Sequence, residues 1–350
     1  MVRSRLRLIG VLMALTLVAV ACGGDDGGGG SGGDGDLGVA NVQLAMDNDD
    51  FMNQLAWLVA QERYWPDLGF TKDAEVAASD EYLAALIGGD VWVAQGESDA
   101  IWAAMAEGSV DLVGVGVEKD VEAWFLGVRE GVDPEDLSGL KISGGPPGDR
   151  NITVGEHILE DLGYAPDDLE WVSIEGGSDE RLTALIAGQI DVAVLQPRHL
   201  LPLDQEGGTM IYEENKDAPQ EVWVTTRDFY EENEAAVCAY LEGRIAAKQW
   251  MAEGDDYMDN KDEAVGLAEA EPYNLDPSEG DLEEWEAEIT GNWSLDGGSP
   301  AAAFEAWNDD MISNENVPAD FDWKEHFEFG CLWEAQENLG LEQNPNPDEL

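Results

Sequence analysis

Three loops in this sequence place hydrogen-bonding side chains directly after a strand-like run and before a helix-like one. The first is Asp47–Phe51 (DNDDF), where Asn48 and Asp49 offer polar contacts and Phe51 a ring. The second is Gln95–Ala100 (QGESDA). There Gln95 and Ser98 suit hydrogen bonds to a carboxylate, sulfonate or amide, and Glu97 would repel an anion. The third is Gly144–Asn151 (GGPPGDRN). Gly144 and Gly145 permit close backbone approach, Pro146 and Pro147 stiffen the loop, and Arg150 and Asn151 present polar heads. Asp149 beside Arg150 argues against a simple anion cradle. Further candidates are EGGSDE (Glu175–Glu180) and the strand end LQPRHL, with Gln196, Arg198 and His199. Trp124 and Trp223 could stack on a flat ligand. The chemistry these residues share is a grip on a small polar molecule, with no bond made or broken. Each also has a structural alternative. Asn48, Asp49 and Ser98 fit helix caps, Arg150 fits an ion pair with a surface acid, and core packing is the commoner role for any tryptophan.

The sequence carries no recognisable reaction machinery. It lacks G-x-x-x-x-G-K-[ST], G-x-G-x-x-G, G-x-S-x-G and H-E-x-x-H. His157, His199 and His326 lie far apart, and DNDDF lacks the glycine and terminal glutamate of a calcium loop. No catalytic residue, metal or cofactor is expected. The formal net charge is −59, with 17 basic residues against 76 acids, which excludes nucleic acid as a partner. The 44% of hydrophobic residues allows true cores, so the acidity reads as a solvated surface suited to salt or an extracytoplasmic setting. A site for a cationic ligand is the alternative.

The first residues read as an export signal. Arg3, Arg5 and Arg7 precede an apolar run from Leu8 to Val20, too short for a membrane span. The end of that run, AVAC, resembles a bacterial lipobox. The resemblance implies cleavage after residue 21 and lipidation of Cys22, hence anchoring to the bacterial cell membrane. Residues 22–37 are a Gly-rich hydrophilic tether. Cys238 and Cys331 remain. An exported pair of this kind forms a disulfide, or else the two are buried free thiols.

The elements that must position the loops alternate. Strand-like NVQLAMD, AEVAAS, VWVAQ and VDLVGVGV are separated by helix-like FMNQLAWLVAQERYW, DEYLAALIGGD (capped by Asp80) and ESDAIWAAMAEG. The pattern restarts after Asp136: LKIS, LEWVSI and IDVAVLQ alternate with NITVGEHILEDLG and SDERLTALIAGQ, the latter capped at Ser178. TMIYE and EVWVTT read as two further strands, and helices follow. This order predicts an α/β chain with mostly parallel sheets and right-handed crossovers. It is expected to form two lobes, residues 38–120 plus 225–342 and residues 121–224, with a helical C-terminal extension and a disordered tail at 343–350.

Several segments resemble one family. ALIGGDVWVAQGESDAIWAAMAEGSVDLVGVGV, DLSGLKISGGPPGDRN, LTALIAGQIDVAVLQPRHL, ERYWPDLGF and EVWVTTRDFYEENEAAVCAYLEGRIAAKQWM are similar in order and spacing to the solute-binding proteins of ABC importers for nitrate, taurine, alkanesulfonates and thiamine pyrimidine precursors. The likeness covers roughly residues 40–255. It implies a two-lobed periplasmic-binding-protein-like fold, a monomer that closes on a small solute, and an ABC permease and ATPase as partners. Expected ligand contacts are Asn48, Asp49, Phe51, Gln95, Ser98, Trp124, Gly145, Arg150, Asn151, Gln196 and Trp223. Glu97 departs from an oxyanion site and leans the ligand towards an amine-bearing or heterocyclic nutrient. The alternatives are an exported enzyme related to a pyrimidine-precursor synthase, which here lacks the cysteine-rich iron loop, and a sensory lipoprotein.

Overall fold

The computed structural model describes residues 37–48, 51–79, 81–146, 150–175, 177–196, 199–254, 257–277, 282 and 285–350. The export signal, Cys22, the tether up to residue 36, Asp49, Asp80, Pro147, Asp149 and Arg198 lie outside the described residues. The first half of the fold is β1 (Gln43–Met46), α1 (Phe51–Arg63), β2 (Glu75–Ala78), α2 (Tyr82–Gly88), β3 (Val93–Glu97) and α3 (Ser98–Glu107). A long β4 (Leu112–Val128) leads into β5 (Lys141–Ser143), α4 (Arg150–Asp161), β6 (Glu170–Trp171), α5 (Ser178–Ile186), β7 (Val192–Leu195) and α6 (Leu200–Gln205). A second long strand, β8 (Thr209–Thr226), returns to α7 (Arg227–Glu232), α8 (Glu234–Met251), α9 (Lys261–Glu269) and a run of further helices.

The ladder order is β2-β1-β3-β8-β4-β7-β5-β6. β1 pairs in parallel with β2 and β3, and β5 pairs in parallel with β6 and β7. β4 and β8 run antiparallel to each other through both halves. The sequence reading made TMIYE and EVWVTT separate strands and ended the fourth strand at Val117. The structure joins each into one long strand. The intervening polar residues are carried by cross-strand pairing, with irregular register on either side of Lys119.

Period-2 alternation explains how one sheet serves two cores. In β7, Val192 and Val194 face a core with Trp124, Ile142, Val154 and Ile158, while Ala193 and Leu195 face Phe125, Leu182 and Leu185. All four β7 residues are buried, as a central strand covered on both faces requires. The other half has one larger core, where Leu44, Leu55, Val59, Trp102, Val224 and Tyr240 meet. Gly114 is obligatory there, because a Cβ would sit 2.2 Å from the Phe327 ring.

Two local expectations change. Ser178 does not cap α5. It is the first helical residue, and the Glu180 carboxylate accepts a 2.8 Å hydrogen bond from the N–H of the preceding Gly177. Residues 343–350 are not a loose tail. Asn344 exchanges hydrogen bonds with the Gln336 amide, Trp333 Nε1 donates to the Pro345 carbonyl at 2.9 Å, and Asn346 caps a last helical turn. Among the described residues, no helix is long and apolar enough to cross a membrane.

Cys238 on α8 and Cys331 are joined by a disulfide across 93 residues of chain. A loop of that length restricts the unfolded chain strongly. Replacing both cysteines by alanine should therefore lower the unfolding free energy by about 2–4 kcal/mol. Urea denaturation measures it, and an unchanged midpoint would show that the crosslink adds no stability.

Candidate functional site

β1 and β3 are parallel neighbours, so their carboxyl ends open on the same side, where ligands of α/β sheets lie. Asp47 follows β1 and Glu97 ends β3. β8 runs antiparallel to β3 and sets Glu221 opposite Glu97, and Lys119 of β4 is set opposite Glu221. Three carboxylates, from Asp47, Glu97 and Glu221, therefore converge with one oxygen of each within 4.8 Å of the others. They are the described acids so grouped that could hold a cation.

The three are held differently. Asp47 accepts hydrogen bonds from the Glu97 N–H at 3.1 Å and from Asn48 Nδ2 at 2.7 Å. Glu221 is paired with Lys119 at 2.8 Å and accepts from Asn53 Nδ2 at 3.4 Å and Gln95 Nε2 at 3.3 Å. The Glu97 carboxylate receives no hydrogen bond from the described residues. Like charges on facing strand positions repel, and the protonation of the acids records it. Burial, and then Glu221, push Asp47 up to about 7. Burial, Glu221 and Asp47 hold Glu97 well above the usual carboxylate range. The Tyr82 phenol is raised by burial and by the fields of Asp47, Glu97, Asp99 and Glu221. Its ring lies on Gly96, where a Cβ would come within 2.6 Å of it.

Beneath this cluster runs a fully buried ion network. Arg244 Nη2 donates to Glu118 Oε2 at 2.7 Å and to Gln95 Oε1 at 3.0 Å, and Lys248 Nζ donates to the Glu118 carbonyl at 2.9 Å. Glu118, Arg244 and Lys248 have 0% side-chain exposure. Burial opposes ionisation of Glu118, but Arg244 and Lys248 outweigh it and hold its carboxyl low. Both cations also lie over the Trp223 ring, Lys248 Nζ at 4.8 Å and Arg244 Cζ at 5.6 Å. Beside the cluster, a cavity of about 610 Å³ separates α3 from α4. It is lined by Asp99, Thr153, His157, Lys216, Trp307 and Asp310 among others. Of the acids that act on Tyr82, Asp99 alone is in its wall, so the cavity adjoins the carboxylates rather than enclosing them.

Of the residues expected from sequence, Asn48 and Gln95 reach the cluster, but as supports. Gln95 is completely buried, with one end of its amide on Glu221 and the other on Arg244. Ser98 donates to the Pro219 and Gln220 carbonyls, tying α3 to β8. Trp223 is completely buried under Arg244 and Lys248, Trp124 packs with Leu126 and Val128, and Phe51 is in the core, so none offers a free ring face. Gly145 takes φ +116° and donates to Ser143 Oγ at 3.2 Å. Arg150 and Asn151 open α4. Gln196 accepts from Ser178 at 3.0 Å, and His199 lies 2.7 Å from Asp179. Sequence reasoning missed Tyr82, Asn53, Glu118, Lys119, Glu221, Arg244 and Lys248. The signal available was charge inside apolar runs: Glu118-Lys119 after VGVGV, Glu221 before VWV, and Arg244 and Lys248 within an apolar helix.

No protein-family model and no curated protein matches this sequence. Solved structures do. A putative sulfonate ABC transporter periplasmic sulfonate-binding protein SsuA from Methylobacillus flagellatus KT is 14% identical with a TM-score of 0.66, over 88% of this chain and 99% of that one. The periplasmic aliphatic sulphonate binding protein SsuA from Escherichia coli is 15% identical with a TM-score of 0.59, over 82% and 92%. DSZB, a desulfurization enzyme, in a mutant form in complex with biphenyl-2-sulfinic acid, is 14% identical with a TM-score of 0.61, over 85% and 99%. The chain has the periplasmic-binding-protein fold.

Two measurements probe this site. Glu118→Gln strands two buried cations and should cost about 3–5 kcal/mol in urea denaturation. Lys324→Ala, which breaks a surface pair with Glu305, should cost about 1 kcal/mol or less. Equal losses would refute a buried network. The second concerns pH. Asp47 titrates at 3.8 when unperturbed and at about 7 when folded. Between these values the folded chain keeps a proton that the unfolded chain has lost, so this contribution to stability falls as pH rises from about 4 to about 7. Asp120, raised to about 7 by burial and then Asp296 against the pull of Lys248, acts in the same sense. Asp47→Asn should therefore gain on the parent between pH 5 and pH 8, by on the order of 2 kcal/mol. Parallel stability curves would refute the assignment.

Proposed function

We propose that this protein is an extracytoplasmic solute-binding protein. On this reading it delivers a small polar nutrient to an ABC importer, and no bond changes on the way. The half built on β1–β3 and α8, which also takes the end of β8 from Glu221, and the half built on β5–β7 act as two lobes that close on the solute. A lipid on Cys22 and the glycine-rich tether hold the domain at the membrane, where a permease and its ATPase receive the closed form. The same fold in two proteins described as sulfonate-binding supports this reading.

One observation carries it. β4 and β8 form one long antiparallel pair whose register shifts at Gly114/Gly116, on both sides of Lys119 and at Leu126/Gly127. On this reading the steps beside Lys119 are the junction of the lobes. The polar cavity between α3 and α4 lies across that junction, with Lys216 of β8 in its wall. A pair of strands with a local irregularity is a hinge that absorbs bending while each half keeps its core. The carboxylate cluster sits at the same junction, so a bound solute would touch the part that bends.

The fold also hosts enzymes, as DSZB shows of itself. Here the two described cysteines are consumed in a disulfide, which favours binding over cysteine chemistry.

A thermal-shift screen of the chain from residue 22 onward, with pyrimidines, amino-sulfonates, nitrate, amines and polyamines, tests the proposal. A true solute raises Tm by an amount that grows with its concentration. The same compound should reduce the radius of gyration in small-angle scattering and be recovered unchanged. No shift with any compound would overturn the transport reading, and conversion of the compound would replace it with an enzyme.

A further inference from the structure

We propose that the cluster of Asp47, Glu97 and Glu221 is the subsite for an ammonium group, so that the transported solute is an organic amine. The inference rests on the solute-binding reading above and names the substrate class.

The acids alone would not establish it, since exposed acids are abundant in this chain. Three further observations do. First, the cluster contains acceptors with no donor. Glu97, which is partly exposed, receives no hydrogen bond from the described residues, while the next two groups are buried. Tyr82, 5% exposed, holds its hydroxyl oxygen buried without a partner, in the field of Asp47, Glu97, Asp99 and Glu221. Asn53 is completely buried and donates through Nδ2 to Asn48 and Glu221, while its Oδ1 has no partner. Buried polar groups without partners are rare and costly in native proteins. A donor from outside the chain would satisfy these, and an ammonium carries three N–H donors.

Second, apart from the Tyr82 hydroxyl, the donors that face the three carboxylates are spent. Asn48 Nδ2 and the Glu97 N–H serve Asp47, while Gln95 Nε2, Asn53 Nδ2 and Lys119 serve Glu221. An anionic ligand arriving here would find carboxylates and no free donor among these groups.

Third, the charge is unbalanced once all three acids are ionised. Lys119 is the cation paired with Glu221, and it is also the one that lowers Asp47 and Glu97. The next cations, Arg244 and Lys248, are held on Glu118. A ligand cation supplies what the described side chains do not. A primary ammonium suits the site better than a bare divalent metal, because Lys119 already sits 2.8 Å from Glu221 and would repel a doubly charged ion.

Binding should be linked to protons. The groups facing the site are Asp47, Glu97, Glu221, Lys119, Tyr82 and Asp99, with Glu118, Arg244 and Lys248 behind them. Asp47, pushed up to about 7, holds a proton at pH 6 without a ligand, and burial and neighbouring acids shift Glu97 in the same direction. A cation would ionise them, releasing protons to the buffer.

The experiment uses matched probes on the chain from residue 22 onward: putrescine against 1,4-butanediol, taurine against ethanesulfonate, ethanolamine against ethylene glycol, and nitrate, calcium and zinc alone. Calorimetry at pH 6 in two buffers of different ionisation enthalpy reads affinity and proton release. The expected result is that at least one amine binds, its amine-free partner does not, and protons are released. Asp47→Asn and Glu97→Gln should each weaken that amine by about 10–100-fold, and the milder Tyr82→Phe by about 5-fold, as expected for loss of a hydrogen bond to a charged group. Circular dichroism confirms that each variant folds. If ethanesulfonate or nitrate binds and no amine does, the ammonium subsite is overturned while solute binding stands. Binding of calcium or zinc alone also overturns it. If nothing binds, both readings fall.

Discussion

Everything near the junction of the two halves depends on one buried ion network. Glu118 on β4 is held by Arg244 and Lys248 on α8, all three shut off from water. Taking three charges out of water costs several kcal/mol per ion before any attraction is counted, so the network is poor evidence for stability. What it supplies is position. Arg244 reaches Gln95, Gln95 reaches Glu221, and Glu221 meets Asn53 and Lys119. Four elements, β3, β4, β8 and α8, are thus tied together by these bonds, although Glu118 Oε1 and Arg244 Nε and Nη1 have no partner among the described residues. The Trp223 ring under both cations closes the assembly from below.

That network is confined to one half. The other half holds its sheet with apolar residues on both faces, and the two halves share β4 and β8. A strand pair bends most easily where its ladder is irregular, and two of its four irregular steps flank Lys119. Lys119 is therefore at the end of the locked network and at the start of the irregular junction.

Much of the architecture was legible in the sequence, because most elements obey simple periodicity. The apolar spacing of FMNQLAWLVAQER marks α1, and the apolar run VAVL marks β7. The long strands were not legible. Glu213–Gln220 (EENKDAPQ) has the composition of a loop, with charged residues at Glu213, Glu214, Lys216 and Asp217 and a proline, yet it pairs with β4. Cross-strand partners far away in sequence decide that, and local propensity cannot report it. The candidate loops after β1 and β3 were found from their position between strand and helix. The roles inside them were not. Gln95 and Ser98 looked like ligand donors but serve buried protein groups, while Glu97, read as an obstacle, stands at the centre of the site. Burial separates a working polar residue from a solvated one, and burial is a property of the folded chain.

The chain's acidity has two physical meanings that composition merges. Most acids lie in water, where repulsion is screened over roughly 8–10 Å and costs little. Asp47, Glu97 and Asp120 are different, because burial and neighbouring carboxylates raise them towards protonation. A net charge of −59 would be the same if those residues were on the surface. What distinguishes them is the geometry of parallel strand ends beside the junction of the two halves. The residues placed at that location set the sign of charge it attracts. In this chain the residues are acids, and the charge they attract is positive.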